Sequence, residues 1–411
     1  MISRAAAREL EISSDAWPRR AQPGVVGAAL ALLFVGAAWL TPHHGPRQAA
    51  LFLIGAACGL VLYHSAFGFT SAFRAFIVSG DGRGLRAQML MLAVATLLFA
   101  PILAWGEVLG TPLVGAVAPV GLSVLVGAFL FGIGMQVGGG CGSGTLFHLG
   151  GGTTSAALTL LGFIAGSVLA TFHLTFWWTL ETTDVISLGE RLGWPEAVGL
   201  QLVLFGLIAW LLRKIERRRL GVVPPMPVVP GGWRCFIHGP WPLPAGGVAL
   251  ALLNALTLVV AGHPWAITWA FTLSGGKVLQ ALGYDLSAVP FWTGEFQRAA
   301  LDGPILSDVT SVMDLGLILG ALLGAGLAGR FAPARRIPLR IVTASLLGGF
   351  LLGYGARLAY GCNISGYFSA IASTSLHGWL WFAAALLGTP LGVRLRTTFG
   401  VGRDITEAPA C

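Results

Sequence analysis

Two glycine-rich loops each carry one cysteine, and the first is GGGCGSGTLFHLGGG at residues 138–152. The wider segment 129–147, FLFGIGMQVGGGCGSGTLF, matches 350–368, FLLGYGARLAYGCNISGYF, at seven of nineteen positions without a gap. The identical positions include the cysteine, the glycine before it and the final phenylalanine. The chain therefore contains an internal duplication with an offset of 221 residues, and each copy has one such loop.

The sequence on both sides of these loops is strongly apolar. Of the 411 residues, 55% are hydrophobic and only 10% are charged, and the mean hydropathy is +0.78. Because a soluble domain is much more polar, we expect an all-α polytopic membrane protein with spans of about 20 residues. The pattern predicts nine to eleven spans, from runs that begin near Gly24, Gln48, Ala87, Ala118, Thr154, Glu196, Gly246, Val309, Pro338 and Gly378, with shorter runs at 264–282 and 289–300.

The net charge of +8 comes from arginines in short segments beside the apolar runs. This placement is typical of orientation signals and does not indicate nucleic-acid binding. Five basic clusters are predicted to face the cytoplasm, which also places both termini there: 4–20, 74–86, 213–219, 330–340 and 394–403.

The same pattern divides the chain into five parts. They are a cytoplasmic N-terminal segment 1–23, a first membrane half 24–212, a basic and proline-rich linker 213–244, a second membrane half 245–396 and a cytoplasmic tail 397–411. The first apolar run ends in TPHHGP without a small-residue cleavage pattern, so we expect it to remain as a helix. Cys235 and Cys411 fall in cytoplasmic segments and are expected to be incidental thiols.

The two copies are predicted to enter the membrane from opposite sides. The first lies between two loops with few basic residues, 106–116 and 181–196, whereas the second lies between the basic clusters 330–340 and 394–403. The first cysteine loop would then face the cytoplasm and the second would face outward. Opposed copies of this kind indicate an inverted-repeat helical bundle, in which broken helices meet near the middle of the bilayer.

Both cysteine loops are nearly free of charge. No Asp, Glu, Lys or Arg occurs from Val108 to Leu180, and only Arg357 occurs between 341 and 393. We therefore expect re-entrant loops, whose freed backbone groups are satisfied by protein or by a water-filled cavity. Glycines would let the backbone turn and pack closely, and helices starting near two of them, Gly144 and Gly366, would direct N–H groups at an anion. The loop glycines singled out here are Gly140, Gly142, Gly144, Gly361 and Gly366.

Charge inside a membrane is expensive and marks a pathway or a buried partner. Arg357 lies five residues before Cys362 and is predicted to attract an anion; pairing with Asp314 or reaching to the interface is the alternative. Gln136, at the corresponding position of the first copy, is neutral and could donate a hydrogen bond.

Lys277, in AFTLSGGKVLQALG, is a second intramembrane cation with the same predicted role, for which an ion pair with Glu295 is the alternative. Asp314 is expected to be structural. His148 and His377 follow the loop cysteines at unequal distances, which favours satisfied or interfacial histidines over a soft-metal site.

The GGCGSGT loop, the GARLAYGCN loop, SAFR at 71–74 and SGGK at 274–277 closely resemble the YeeE/YedE sulfur-transport family over nearly the whole chain. The resemblance implies an hourglass-shaped inverted repeat that takes up thiosulfate through the bacterial inner membrane. It also implies that cysteines near the constriction pass the anion along by S–H to sulfur hydrogen bonds, and Cys141 and Cys362 match the two loop cysteines. The family pattern places a third cysteine near FGFTSAFR, where this sequence has Gly68. The candidate for the third cysteine in this chain is therefore Cys58. The family further suggests a soluble sulfur-carrier protein as a cytoplasmic partner.

These observations favour a permease for thiosulfate or a similar small sulfur-containing anion, with no cofactor, no metal and no enzymatic turnover. A neutral thiol is polarizable, donates weakly to a soft terminal sulfur and does not repel a dianion. Weak contacts favour passage over trapping. A selenium compound is an alternative cargo, and a soft-metal channel or a membrane sulfurtransferase carrying a persulfide is an alternative activity.

Overall fold

In the computed structural model the chain forms a bundle of long helices. The structure describes residues 20–108, 110–180, 182–226 and 232–400; most of the predicted N-terminal segment, part of the linker, and the end of the tail with Cys411 lie outside these ranges. Within the described residues, ten helices are long and apolar enough to cross a membrane. The all-α polytopic class predicted from composition is therefore confirmed.

The described helices follow one another along the chain with short connections. The first half contains α1 (Pro23–His44), α2 (Pro46–Ser65), α3 (Phe69–Ser79), α4 (Arg83–Trp105), α5 (Leu122–Val137), α6 (Gly142–Gly150) and α7 (Thr154–Trp178). The first half also contains α8 (Leu188–Leu192) and most of α9 (Trp194–Leu220), which runs into the linker, and the linker contains α10 (Gly232–His238). The second half contains α11 (Leu243–Ala261), α12 (Thr268–Ala281), α13 (Glu295–Asp302), α14 (Val309–Leu327), α15 (Leu339–Leu358), the π-helical segment Asn363–Ser369, α16 (Ala370–Ala372) and α17 (Leu376–Thr398).

Extended structure is confined to the loops. Two antiparallel pairs are formed by β1 (Glu107–Val108) with β2 (Thr111–Pro112), and by β3 (Pro119–Gly121) with β4 (Thr182–Val185). Short 3-10 turns at Leu286–Ala288, Pro290–Thr293 and Ile305–Ser307 flank α13.

Two sets of loops define two faces of the bundle. We call one the basic face, which comprises loops 80–86, 150–154, 216–224 and 326–340; for example, Thr154 Oγ1 donates to Ala334 O at 2.9 Å. We call the other the opposite face, which comprises loops 106–121, 182–193 and 373–375; here Ala116 N donates to Ser373 Oγ at 2.9 Å. Chain segments that connect these faces are the membrane spans.

The duplication extends well beyond the cysteine loops. Shifted by 221 residues, α11, α12, α14, α15 and α17 fall on α1, α2, α4, α5 and α7. The copies run in opposite directions, since α4 leads from the basic face to the opposite face and α14 leads back. The structure thus has the inverted repeat that the charge pattern predicts.

Helices of the two copies pack on each other through glycine. A Cβ on Gly55 of α2 would lie 2.8 Å from Met313 Cα of α14, and a Cβ on Gly353 of α15 would lie 2.6 Å from Ser167 N of α7. Such close approach is tolerated only without a side chain, and it is a common means of packing membrane helices. The pairs α2–α14, α7–α15, α5–α15 and α5–α17 make the most extensive contacts.

Helix α9 lies between the repeats and supports the first half. Its Glu216 is fully buried and accepts from Gly82 N at 2.9 Å, in the turn before α4. The same carboxylate pairs with Arg86 at 3.2 Å. This ion pair fixes the start of α4 at the basic face.

Candidate functional site

Each cysteine loop interrupts a membrane span. The segment Leu122–Gly150 forms one span of 29 residues, in which the loop 138–141 separates α5 from α6. Gly139 has a φ of +80°, in the left-handed region that favours glycine. In the second copy, Tyr360 and Gly361 have positive φ between α15 and the π-helical segment.

Both cysteines cap the helix that follows them. Cys141 (φ −90°, ψ −164°) and Cys362 (φ −96°, ψ −166°) have nearly the same backbone conformation, which agrees with their equivalence in the repeat. Gly144 N donates to Cys141 Sγ and Ile364 N donates to Cys362 Sγ, both at 3.4 Å. The helices begin at residues 142 and 363, slightly earlier than predicted, because the cysteine itself is the N-cap. Ser, Thr, Asp and Asn are the preferred N-caps, so capping does not explain why sulfur stands here.

The two loops meet inside the bundle. A Cβ on Gly142 would lie 3.0 Å from Cys362 Sγ and 3.5 Å from Ile267 Cγ2. Cys141 is 2% exposed and Cys362 is fully buried. The loops therefore lie inside the bundle, where the sequence predicts that re-entrant loops entering from opposite sides of the membrane meet. The hairpins turn farther along the chain, at 151–153 and at 373–375.

The loop glycines stand where backbone atoms approach closely. A Cβ on Gly140 would lie 3.1 Å from Thr145 N, and one on Gly144 would lie 3.4 Å from Cys141 Sγ. Gly361 O accepts from Trp381 Nε1 at 3.0 Å, and the same indole covers Gly366. A side chain at Gly140, Gly361 or Gly366 would displace neighbouring atoms, whereas a Cβ at Gly144 would make an ordinary contact.

Arg357 and Gln136 lie on opposite sides of the cysteines. The Arg357 guanidinium lies 5.7 Å from the Phe291 ring centroid, and its Nε is buried without an acceptor. The alternative ion pair with Asp314 is not formed, and both carboxylate oxygens of Asp314 are buried without a hydrogen-bond partner. Gln136 is fully buried and donates from Nε2 to Thr70 O at 3.1 Å.

Lys277 is held by backbone oxygens. Its Nζ donates to Leu301 O at 2.7 Å and to Gly303 O at 2.5 Å, at the C-terminal end of α13. Glu295, which the sequence suggests as an ion-pair partner, does not lie within ion-pair distance. A cation at a helix C-terminus is favourable because the carbonyl dipoles point toward it, so Lys277 fixes the segment after α13.

Cys58 lies in the middle of α2 and is fully buried. It shares one face of the helix with Leu51, Ile54 and Leu62, all in the main apolar core. The neighbouring Gly59 packs on α14. Its surroundings are those of a packing residue.

Three further polar groups lie near the loops, outside the set of site residues that the sequence predicts. Asn363 follows Cys362, is fully buried, and neither atom of its amide has a partner. Trp265 Nε1 is likewise buried without an acceptor. Arg396 is 9% exposed and donates from Nη1 to Gln136 O at 3.2 Å. The aligned residue of the first copy is Gly142, and this difference between the copies is the sequence signal that could have identified Asn363.

The histidines near the loops have local partners. Ser375 Oγ and His377 Nδ1 are 2.7 Å apart, and the His148 ring lies beside Phe147. Across the described ranges, no group of three His, Cys, Asp or Glu side chains could hold a metal ion.

An inverted repeat whose broken helices meet in the core of a membrane bundle defines a membrane transport protein. The profile of the Sulphur transport family matches residues 64–391, which is most of the chain. The chain belongs to this family, and the resemblance found in its loops is confirmed.

Named relatives agree with this assignment and are transporters. The chain is 26% identical to the thiosulfate transporter TsuA of Spirochaeta thermophila, over 82% of this chain and 95% of that protein. It is 24% identical to TsuA of Escherichia coli, over 82% and 91%. It is 34% identical to the probable transporter YedE of Escherichia coli, but this match spans only 39% of this chain and 40% of that protein. Transport of a sulfur compound is therefore the supported class of activity.

Proposed function

We propose that this chain is a permease that takes up thiosulfate, or a similar small sulfur-containing anion, through a constriction between the Cys141 and Cys362 loops. The observation that carries the proposal is the convergence of two equivalent cysteine-capped helix starts in the core, with Cys362 Sγ beside Gly142. The similarity to two thiosulfate transporters over most of their length supports this cargo.

The charges order the path from one face to the other. Arg357 attracts the anion on the opposite-face side, where its buried Nε has no acceptor in the described part of the chain. Lys277 adds positive potential on the same side while it holds the end of α13. Beyond the cysteines, Gln136 and Arg396 lie together toward the basic face. An anion would thus meet donors before and after the thiols.

The thiols relay the anion without forming a lasting bond. Each S–H is a weak donor that suits a soft terminal sulfur, and release stays fast because each contact is weak. The two helices that start at the cysteines also direct N–H groups toward the constriction, which favours a negative charge there. Cys58, buried in the middle of α2, is the candidate for a third thiol of the relay.

The orientation follows from the charges. We assign the arginine clusters of the basic face, and with them both termini, to the cytoplasmic side of the inner membrane. Uptake then proceeds from the opposite face to the basic face. A soluble sulfur-carrier protein that receives the cargo would dock on the basic face.

The test is growth on thiosulfate as sole sulfur source. A bacterium without its own sulfate and thiosulfate uptake is supplied with wild type, Cys141→Ala or Cys362→Ala, and the amount of each protein in the membrane is measured. We expect rescue by the wild type alone. Rescue by all three would show that neither thiol is needed for transport, and the cysteines would then be packing residues. Failure of the wild type, with the protein present in the membrane, would refute thiosulfate as the cargo and direct the search to selenium compounds.

A further inference from the structure

The residue after each loop cysteine differs between the two copies. It is Gly142 in the first copy and Asn363 in the second. The bond from Gly142 toward a Cβ would point at Cys362 Sγ, only 3.0 Å away. Since Cys141 and Cys362 have matching backbone angles and the copies are inverted, the same relation directs the Asn363 side chain toward the Cys141 loop.

The Asn363 amide has no hydrogen-bond partner among the residues that the structure describes. The residue is fully buried, yet neither Nδ2 nor Oδ1 makes a hydrogen bond. Asn254, equally buried, shows how this core satisfies an amide: its Nδ2 donates to Ser369 Oγ at 3.0 Å and its Oδ1 accepts from Trp265 N at 2.8 Å. A buried amide without partners is destabilising. A structural role for Asn363 would have supplied such partners.

We propose that Asn363 selects the oxygen-bearing end of the transported anion, an inference that rests on the proposed function. Its Nδ2 donates to an oxygen of a tetrahedral sulfur oxyanion while the cysteine thiols contact the terminal sulfur. An amide is neutral and has two donor hydrogens, so it binds an anion without the strong attraction that would trap it. A site built to hydrogen-bond an oxygen rejects analogues that lack one. Asn363 thereby favours sulfur oxyanions over sulfide.

The experiment measures uptake of radiolabelled thiosulfate by the full chain in proteoliposomes, together with the unfolding temperature of each variant. Asn363→Leu removes both hydrogen-bonding groups at similar size, Asn363→Ser keeps one donor, and Asn363→Asp adds a charge that repels the anion. Gln201→Leu is the matched control, because Gln201 is also a buried amide with a free Nε2 but lies in α9, outside the repeat. Cys141→Ala reports separately on the proposed function.

We expect Asn363→Leu to lower uptake at least about tenfold, the effect of losing one hydrogen bond to a charged group. Its unfolding temperature should stay the same or rise, because the orphan amide is gone. Asn363→Asp should lose uptake as well, Asn363→Ser should retain part of it, and Gln201→Leu should transport like the wild type.

Three results would overturn the inference. Full uptake by Asn363→Leu, with Cys141→Ala inactive, would refute the role of Asn363 and leave the proposed function intact. A lower unfolding temperature of Asn363→Leu, with uptake lost in proportion to folded protein, would make Asn363 a packing residue. Absence of thiosulfate uptake by the wild type would refute the proposed function, and the inference would fall with it.

Discussion

Replacing Cys141 by serine separates the two roles of its side chain. In the structure the sulfur accepts from Gly144 N at 3.4 Å as the N-cap of α6, and it also lies 3.4 Å from Ser143 Oγ. Serine is a preferred N-cap and retains the shape of cysteine, so the cap survives Cys141→Ser. Alanine removes the cap. The sulfur-specific contact with the cargo is lost in both variants.

The expected stabilities therefore differ in sign. Because a thiol is a weak acceptor, we place the loss of the cap in Cys141→Ala at the low end of measured N-cap effects, about 0.5 kcal/mol of unfolding free energy, and the gain in Cys141→Ser at a similar size. Uptake should fall at least about tenfold in both, which corresponds to about 1.4 kcal/mol of lost stabilisation along the path.

The assay compares initial rates of radiolabelled thiosulfate uptake in proteoliposomes with unfolding temperatures of the same preparations. The corresponding variants of Cys362, which caps its segment through Ile364 N in the same way, serve as an internal repeat of the experiment. If Cys141→Ser transports like the wild type, any small polar group suffices at this position and the thiol relay is refuted.

Three further changes test other parts of the structure. Gly142→Ala places a methyl group 3.0 Å from Cys362 Sγ, so thiosulfate uptake should fall while the helical circular dichroism spectrum stays unchanged; normal uptake would place the path elsewhere. Arg357→Gln should raise the KM for thiosulfate and Arg357→Lys should restore part of the affinity, whereas an unchanged KM for both would remove Arg357 from the path. Glu216→Gln leaves Arg86 as a buried, unpaired charge and should lower the free energy of unfolding by about 3 kcal/mol; chemical denaturation that shows no loss would contradict the role given to this ion pair.

The membrane class and the duplication could be predicted because they depend on long patterns. Spans of about 20 apolar residues and a repeated glycine and cysteine pattern are visible without coordinates. The inversion of the repeat followed from the arginine clusters, since each cluster marks one side of the membrane. The predicted class therefore agrees with the ten spanning helices.

The details of the site could not be predicted because they depend on contacts across the two copies. Whether Lys277 pairs with Glu295 or with carbonyl oxygens depends on where α13 ends in space, and the sequence does not fix this position. Asn363 was overlooked because an asparagine after a cysteine is ordinary in isolation and becomes informative only beside Gly142.

The glycine-lined helix surfaces that pack across the two copies, called glycine ridges below, affect how the chain is inserted into the membrane. Helix α2 lies against α14, and α7 lies against α15, with backbone touching backbone. During synthesis the first copy enters the membrane with these ridges facing lipid, and they are covered only when their partners have been inserted. Neither copy is then a separate folding unit, and a chain cut in the linker should assemble only when both fragments are produced in the same cell. Interlocked copies also cannot swing apart as rigid halves, so movements during transport are confined to smaller shifts within the bundle.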